Sequence, residues 1–400
     1  MPPRILLANE FGAGRGHLVT LTRLAQAFGP GFAFDGALCR MEHANELAPL
    51  GAEVFPGPLL VYDSARRTGE NAVQSATWGE FLGDLGFDDV ARLREIVAWW
   101  RHVLASRHVA AVLADYAPLA LLAARSLGIP TVATGTGYGL PPPEMGAFPF
   151  LNPGVTRRLH DEARLLANVN QVAREIGLPP LTGLPEVYRA DLPLIRTLPM
   201  LDPYAAYRRD PVYLPPVTDI SPVLAGGGDE VFIYFSTIEF DRPGVVEALE
   251  ALPMPRRAYL PAPPPGVAER LAASGVVLEP RPVPVSEIAR RSRLLVNAGQ
   301  HGILSLGLYA GLPQVCLTQH LEQLFHARKA ETAGVAVALT PTPSGVAALG
   351  PSVNAAYADT GMAARAQGLA QTLRADLAAA PEETLKRAVA PLRQRLMAGG

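Results

Sequence analysis

Short apolar runs alternate with amphipathic stretches along most of this chain. The first run, Ile5–Ala8, leads into Gly12-Ala13-Gly14-Arg15-Gly16. From His17 to Phe28 the residues Leu18, Leu21, Leu24, Ala25 and Phe28 recur at helical spacing. The pattern predicts a strand, a Gly-rich turn and a helix. Gly36–Cys39 and Glu53–Phe55 predict further strands, with a helix over Met41–Leu50 between them. Gly57 to Gly86 has no period and holds Tyr62, Trp78 and Phe81; an irregular stretch of this length is often functional. A helix over Phe87–Ser106, a strand over Val109–Ala114 ending at Asp115, a helix over Leu119–Leu127 and a strand over Thr131–Thr134 follow. Such alternation implies a parallel sheet covered on both faces. Gly137–Pro153 is rich in Gly, Pro and aromatics and follows a strand end. Thr156–Ile176 reads as a helix. Leu181–Pro222, dense in Pro, Tyr and Asp, reads as a semi-rigid link between domains.

The second half repeats the alternation. Strands are predicted at Val231–Phe235, Arg257–Leu260, Val276–Leu278, Leu294–Val296, Val315–Leu317 and Val335–Leu339. Helices are predicted at Gly244–Leu252, Val267–Ser274, Ala363–Ala378 and Glu382–Met397, with another between Gly302 and Gly311. In the last helix Leu385, Val389, Leu392 and Leu396 fall on one face. The chain of 400 residues is too long for one ordinary core and suits two domains. A hydrophobic content of 49% with 18% charged residues describes a folded protein. The net charge of −2 gives no electrostatic case for nucleic acid. Cys39 and Cys316 lie in apolar sequence and read as buried thiols of a reducing compartment. No apolar stretch approaches the ~20 residues of a membrane span, and Ile5–Ala8 is too short for a signal peptide. A soluble cytoplasmic protein is expected.

The segment from Asn297 to Gln323 carries the densest chemical signal. Gly299 and Gly302 form a turn that lets backbone approach a ligand. The helix behind it offers free N–H groups suited to phosphate. Asn297, Gln300 and His301 sit in that turn, and Glu322 and Gln323 follow the next strand, at the same sheet edge. The whole reads as a nucleotide-sugar pocket. Ser236 and Thr237, at another strand end, read equally as phosphate ligands or as simple turn residues. His17 follows the first Gly-rich turn, where a helix N-terminus disfavours the imidazolium. Asp115 ends a strand of the same sheet, and a carboxylate there would orient the imidazole as a base. The alternative is that His17 and Asp115 merely cap helices. The glycines after the first strand do not fit the dinucleotide fingerprint, and Met41-Glu42 is a poor ribose acid. No metal is expected: His320, His326, Glu322 and Glu331 lack a compact ligand spacing. There is also no G-x-S-x-G elbow and no phosphate-loop lysine motif.

Gly311-Leu312-Pro313-Gln314, Gln319-His320-Leu321-Glu322-Gln323 and Ala327-Arg328 resemble the donor-site signature of family-one, UDP-glycosyltransferase-like enzymes of bacterial natural-product type. The resemblance implies the GT-B fold, α/β, with two Rossmann-like domains whose parallel sheets face a central cleft. It implies an acceptor-binding domain over 1–205, a nucleotide-sugar-binding domain over 206–380 and a helix over 381–400 crossing back to the first. Gly16-His17 and Asp115 resemble the family's base and its orienting acid. Leu198–Asp210 is similar to its interdomain segment, and Phe235-Ser236-Thr237 to its first C-terminal strand and phosphate turn. Ala298 stands where the family has a diphosphate-binding histidine, Gln300 where it has a second glycine, and Ile303 where it has a hydroxyl. The implied function is an inverting transfer of a hexose from a nucleoside-diphosphate sugar to a hydroxyl of a small, apolar acceptor, without a further cofactor. Two alternatives stand beside it. One is a non-catalytic GT-B-like accessory or binding protein with a degenerate donor site. The other is a sugar-nucleotide epimerase, for which the expected acidic residues are not evident. Donor base, sugar, acceptor and oligomeric state are left open.

Overall fold

The computed structural model describes residues 2–12, 15–62, 75–152, 155, 158–209, 211, 213–216, 220–236, 238–377 and 380–398. Its apolar runs pair into two all-parallel sheets. The first sheet contains β1 (Arg4–Asn9), β2 (Ala33–Leu38), β3 (Glu53–Pro56), β4 (Val109–Asp115), β5 (Thr131–Gly135), β6 (Leu192–Arg196) and β7 (Tyr213–Leu214), in the order β3-β2-β1-β4-β5-β6-β7. The second contains β8 (Glu230–Tyr234), β9 (Arg256–Tyr259), β10 (Val276–Glu279), β11 (Ser292–Asn297), β12 (Gln314–Leu317) and β13 (Ala336–Leu339), in the order β10-β9-β8-β11-β12-β13. Each order reverses direction at one point, between β1 and β4 and between β8 and β11. In open parallel sheets, ligands bind outside the carboxyl ends of the strands at such a reversal.

The chain divides into two compact units. One holds residues up to Pro215 together with the final helix, and the other starts at Pro216 and ends before that helix. In the first unit the helix Arg15–Phe28 buries Leu18, Leu21, Leu24, Ala25 and Phe28. The helix Pro381–Ala398 adds Leu385, Val389, Leu392 and Leu396 to the same core, against Ile5, Leu7, Leu113 and Val132 of the sheet. In the second unit β8 sends Val231 and Ile233 to one core and Phe232 to another. This alternation is that of a strand covered on both faces. No described helix is long and apolar enough to cross a membrane.

Several expectations need correction. Leu181–Pro222 is not simply a link: β6 and β7 lie within it and complete the first sheet. Pro193 inside β6 and the two-residue length of β7 hide the strand pattern. Met41–Leu50 forms only a 3₁₀ helix over Ala44–Leu50. Part of the irregular stretch is ordered by a short helix, Trp78–Leu82, whose Thr77 hydroxyl accepts from Glu80 N at 3.0 Å. The helix expected from Thr156 begins at Glu162, behind an Asp161 cap. Cys316 is buried, but Cys39 is half-buried, and both are free thiols. Cys39 donates to Asn9 Oδ1 at 2.9 Å.

Candidate active site

At the reversal point of the first sheet the chain leaves β1 through Phe11 and Gly12. Gly12 has φ +100°, and a Cβ there would stand 2.5 Å from His17 Nε2. Only glycine provides both that backbone conformation and room for the ring. Asn9 ties the two central strand ends together, its Nδ2 donating to Phe11 O at 2.9 Å and to Asp115 O at 3.0 Å. This brings His17 Nδ1 to 3.0 Å from Asp115 Oδ2. The histidine side chain is 24% exposed and that of Asp115 only 3%. One ring nitrogen is therefore anchored on a buried carboxylate, while the ring stays within reach of a ligand. Tyr116 sets its ring edge-on to His17 at 5.2 Å and its hydroxyl 2.7 Å from Thr136 Oγ1. From Tyr116 the aromatic contacts run to Phe11 at 4.7 Å. Trp78 and Phe81, stacked at 4.6 Å, both pack against Phe11. The irregular stretch thus contributes an aromatic wall beside the histidine.

Asp115 does not cap the helix that follows it. That place belongs to Glu10, which the sequence reading passed over. Its carboxylate accepts from Leu119 N at 3.0 Å and from Ala120 N at 2.7 Å, at the start of the helix Pro118–Ser126. Glu10 is fully buried. Burial pushes its pKa up to about 8, against the opposing pull of those two N–H groups. A carboxyl raised on folding binds a proton more tightly in the folded chain. Its stabilising contribution is complete below the unfolded value of 4.5, declines as pH rises and is gone above about 8. Unfolding free energy should therefore fall across this window by up to ~1.4 kcal/mol per pH unit, and thermal midpoints should fall with it. Glu10→Gln should flatten the decline in a calorimetric pH series.

The second reversal point gathers the residues of the expected phosphate site. Asn297 is fully buried at the end of β11. Its Oδ1 accepts from Gly299 N at 2.6 Å and its Nδ2 donates to Gln314 Oε1 at 2.9 Å. It shapes the turn from inside. Gly299 has φ +79°, and a Cβ there would meet Gln323 O at 2.9 Å, so the turn packs closely on the helix Leu321–Thr332. Gln300 bridges the loops after β8 and β11: Nε2 reaches Ser236 Oγ at 3.4 Å and Glu239 Oε1 at 3.1 Å, and Oε1 accepts from Ala298 N. His301 opens the helix His301–Ala310, which has no side-chain cap at Gln300. Gly302 is exposed, with nothing within 4 Å of a Cβ position. An uncapped helix start beside an open glycine suits an anion.

His301 packs its ring 4.9 Å from that of His326. Burial and the neighbouring His301 and His320 hold the His326 pKa well below the usual imidazole range, so it is neutral. Glu322 is half-buried in the first turn of the helix Leu321–Thr332. Gln323 is buried, and its Oε1 accepts from Gln319 N at 2.7 Å. Gln319 in turn accepts from Arg242 Nε at 3.3 Å. The sequence reading missed Glu239 and Arg242, at the start and just past the end of a three-residue 3₁₀ helix with no pattern to mark them, and named Gln319 only within the signature. Thr237 lies outside the described residues.

Two parallel, doubly covered sheets with this strand order give the GT-B fold, with two Rossmann-like units in one chain. Solved structures similar to it include the spinosyn rhamnosyltransferase SpnG, at 19% identity and TM-score 0.67, covering 96% of this chain and 99% of that one. SpnG complexed with spinosyn aglycone matches at 18% and 0.63, over 96% and 99%. The glycosyltransferase VinC in complex with dTDP matches at 16% and 0.63, over 98% and 100%. No protein-family model and no curated protein sequence matches the chain.

Proposed function

We propose that the chain is an inverting glycosyltransferase using a nucleoside-diphosphate sugar. The observation that carries this reading is the 3.0 Å contact between His17 Nδ1 and Asp115 Oδ2 at a sheet reversal point. In the proposed reaction the acceptor hydroxyl gives its proton to His17 Nε2, while Asp115 holds the ring and stabilises the imidazolium. The acceptor oxygen forms a bond to the anomeric carbon. The bond from that carbon to the diphosphate oxygen breaks, and the nucleoside diphosphate leaves with the electron pair. The uncapped start of His301–Ala310 receives the diphosphate, and Glu322 contacts sugar hydroxyls. Asn297, Gln300 and Gln323 act by holding the loops in shape. The acceptor lies in the first unit, near the aromatic cluster of Phe11, Trp78, Phe81 and Tyr116 that borders His17, which suits an apolar molecule. A thymidine-diphosphate sugar as donor is supported by the dTDP bound to VinC, and an aglycone as acceptor by the spinosyn aglycone bound to SpnG.

A second reading, a GT-B accessory protein without catalysis, is favoured by one observation. Ala298 is fully buried, and the Gln300 amide is engaged with Ser236 and Glu239, at positions where the family binds diphosphate. Calorimetric and thermal-shift titration with dTDP-, UDP- and GDP-sugars separates the two. Binding of one is expected, and at 100 times its Kd it should add about 2.7 kcal/mol of stability. A folded chain that binds none favours the accessory reading.

A further inference from the structure

At the carboxyl ends of β4, β5 and β6, three buried polar side chains share one face of the sheet. Asp115 is in register with Thr134, and Thr134 with Leu194. Arg196 stands two residues beyond Leu194 and so on the same face. Leu113, Val132 and Leu194 mark that face by packing in one core with the helices Arg15–Phe28 and Pro381–Ala398. Asp115 Oδ2 meets His17, but Asp115 Oδ1 and Thr134 Oγ1 are both enclosed with no hydrogen-bond partner among the described residues. A buried carboxylate with an open oxygen is costly unless a positive charge balances it.

The cation on this face is Arg196, two strands from Asp115, and the Asp115 carboxylate favours its charged form. Burial draws the Arg196 pKa down to about 10, which leaves it charged at neutral pH. The other titratable groups near this face each have partners of their own. Arg23, on the first helix, repels Arg196 and is itself 3.4 Å from Glu382 of the last helix. Glu10, from the end of β1, is bonded to Leu119 and Ala120. Beyond β6, Arg208 is paired with Asp202, and Tyr213 of β7 donates to the same carboxylate. Tyr116 borders the imidazole by its ring.

A buried carboxylate touching an imidazole is neutralised when it takes a proton itself, as Glu10 does, when the imidazole takes one, or when another cation stands by. In the second case the histidine has no capacity left as a base. We propose that Arg196 is a positioning residue that balances Asp115 from beneath the sheet edge, so that His17 remains neutral and able to accept a proton. The inference rests on the reading of His17 as the base.

The test is the His17 imidazole titration in the full chain, followed by NMR with labelled histidine and assigned with His17→Gln. Arg196→Met should raise the His17 pKa by about one unit, a tenfold tighter hold on the proton. Arg196→Gln should do the same, and Arg196→Lys should stay close to the parent. In an Asp115→Asn background the Arg196→Met rise should vanish. A folded charge-free variant with an unchanged His17 titration overturns the inference, as does a rise that persists without the Asp115 carboxylate. The readout needs no turnover. If His17 responds as stated while His17→Ala transfers sugar at the parent rate, His17 is not the base, and only the electrostatic effect of Arg196 on the Asp115–His17 pair stands.

Discussion

His17→Ala is expected to lower kcat for sugar transfer by about 10²- to 10⁴-fold, the usual contribution of a general base, and to leave nucleotide affinity unchanged. The side chain holds Asp115 through one ring nitrogen, at 3.0 Å, and lies in the first unit. The proposed diphosphate site is built from residues of the second, from Ser236 to Gln323. Base and nucleotide site are thus separable by mutation. Asp115→Asn should cost nearly as much as His17→Ala. An amide in place of the carboxylate loses the charge that stabilises the imidazolium and no longer selects the tautomer with a proton on Nδ1. Single-turnover kinetics with the donor identified by titration reads both effects. Wild-type turnover by His17→Ala would remove the histidine from the mechanism.

Ending the chain after Ala380 is expected to unfold the first unit and spare the second. Leu385, Val389, Leu392 and Leu396 of the final helix all belong to the core built on Ile5, Leu21 and Leu113. Burying each such side chain is worth ~1.5–3 kcal/mol, so four supply ~6–12 kcal/mol. That is the size of a whole domain's net stability, about 5–15 kcal/mol. The loss also uncovers the matching face of the helix Arg15–Phe28. Calorimetry of the shortened chain should show the transition of the second unit alone, and limited proteolysis should clear residues before Pro215 first. The full-length chain with Leu392→Ala should retain both transitions, the first weakened by ~2–5 kcal/mol. A shortened chain that melts like the full one would contradict this account.

Much of this was legible because it follows from period and direction. The repeating Leu and Val positions of 18–28 and 385–396 name a buried helix face without reference to any partner. His17 and Asp115 come together because parallel strands deliver their ends to one edge, a property of topology that sequence alternation already implies. Glu10 was not legible. A carboxyl just after a strand reads as an exposed loop residue, and only the three-dimensional closeness of Leu119 and Ala120 turns it into a cap. β7 was invisible because two residues, Tyr213 and Leu214, carry no period. Asn297 and Gln323 illustrate a different limit. An amide at a ligand-binding edge serves equally to hold a ligand or to hold the loop, and their internal bonds to Gly299, Gln314 and Gln319 are decided by packing.

The first unit is encoded in two pieces, with the whole of the second between them. A chain made from its amino end therefore completes the later-encoded unit while the earlier one still lacks its last helix. Until Leu385 to Leu396 emerge, the apolar stripe of Leu18, Leu21, Leu24 and Phe28 is open to chaperones and to other chains. Maturation thus runs backwards relative to synthesis. The final helix sets the moment at which the half carrying His17 becomes a finished structure, and a stall in translation before residue 381 would leave the second unit folded and the first unfinished.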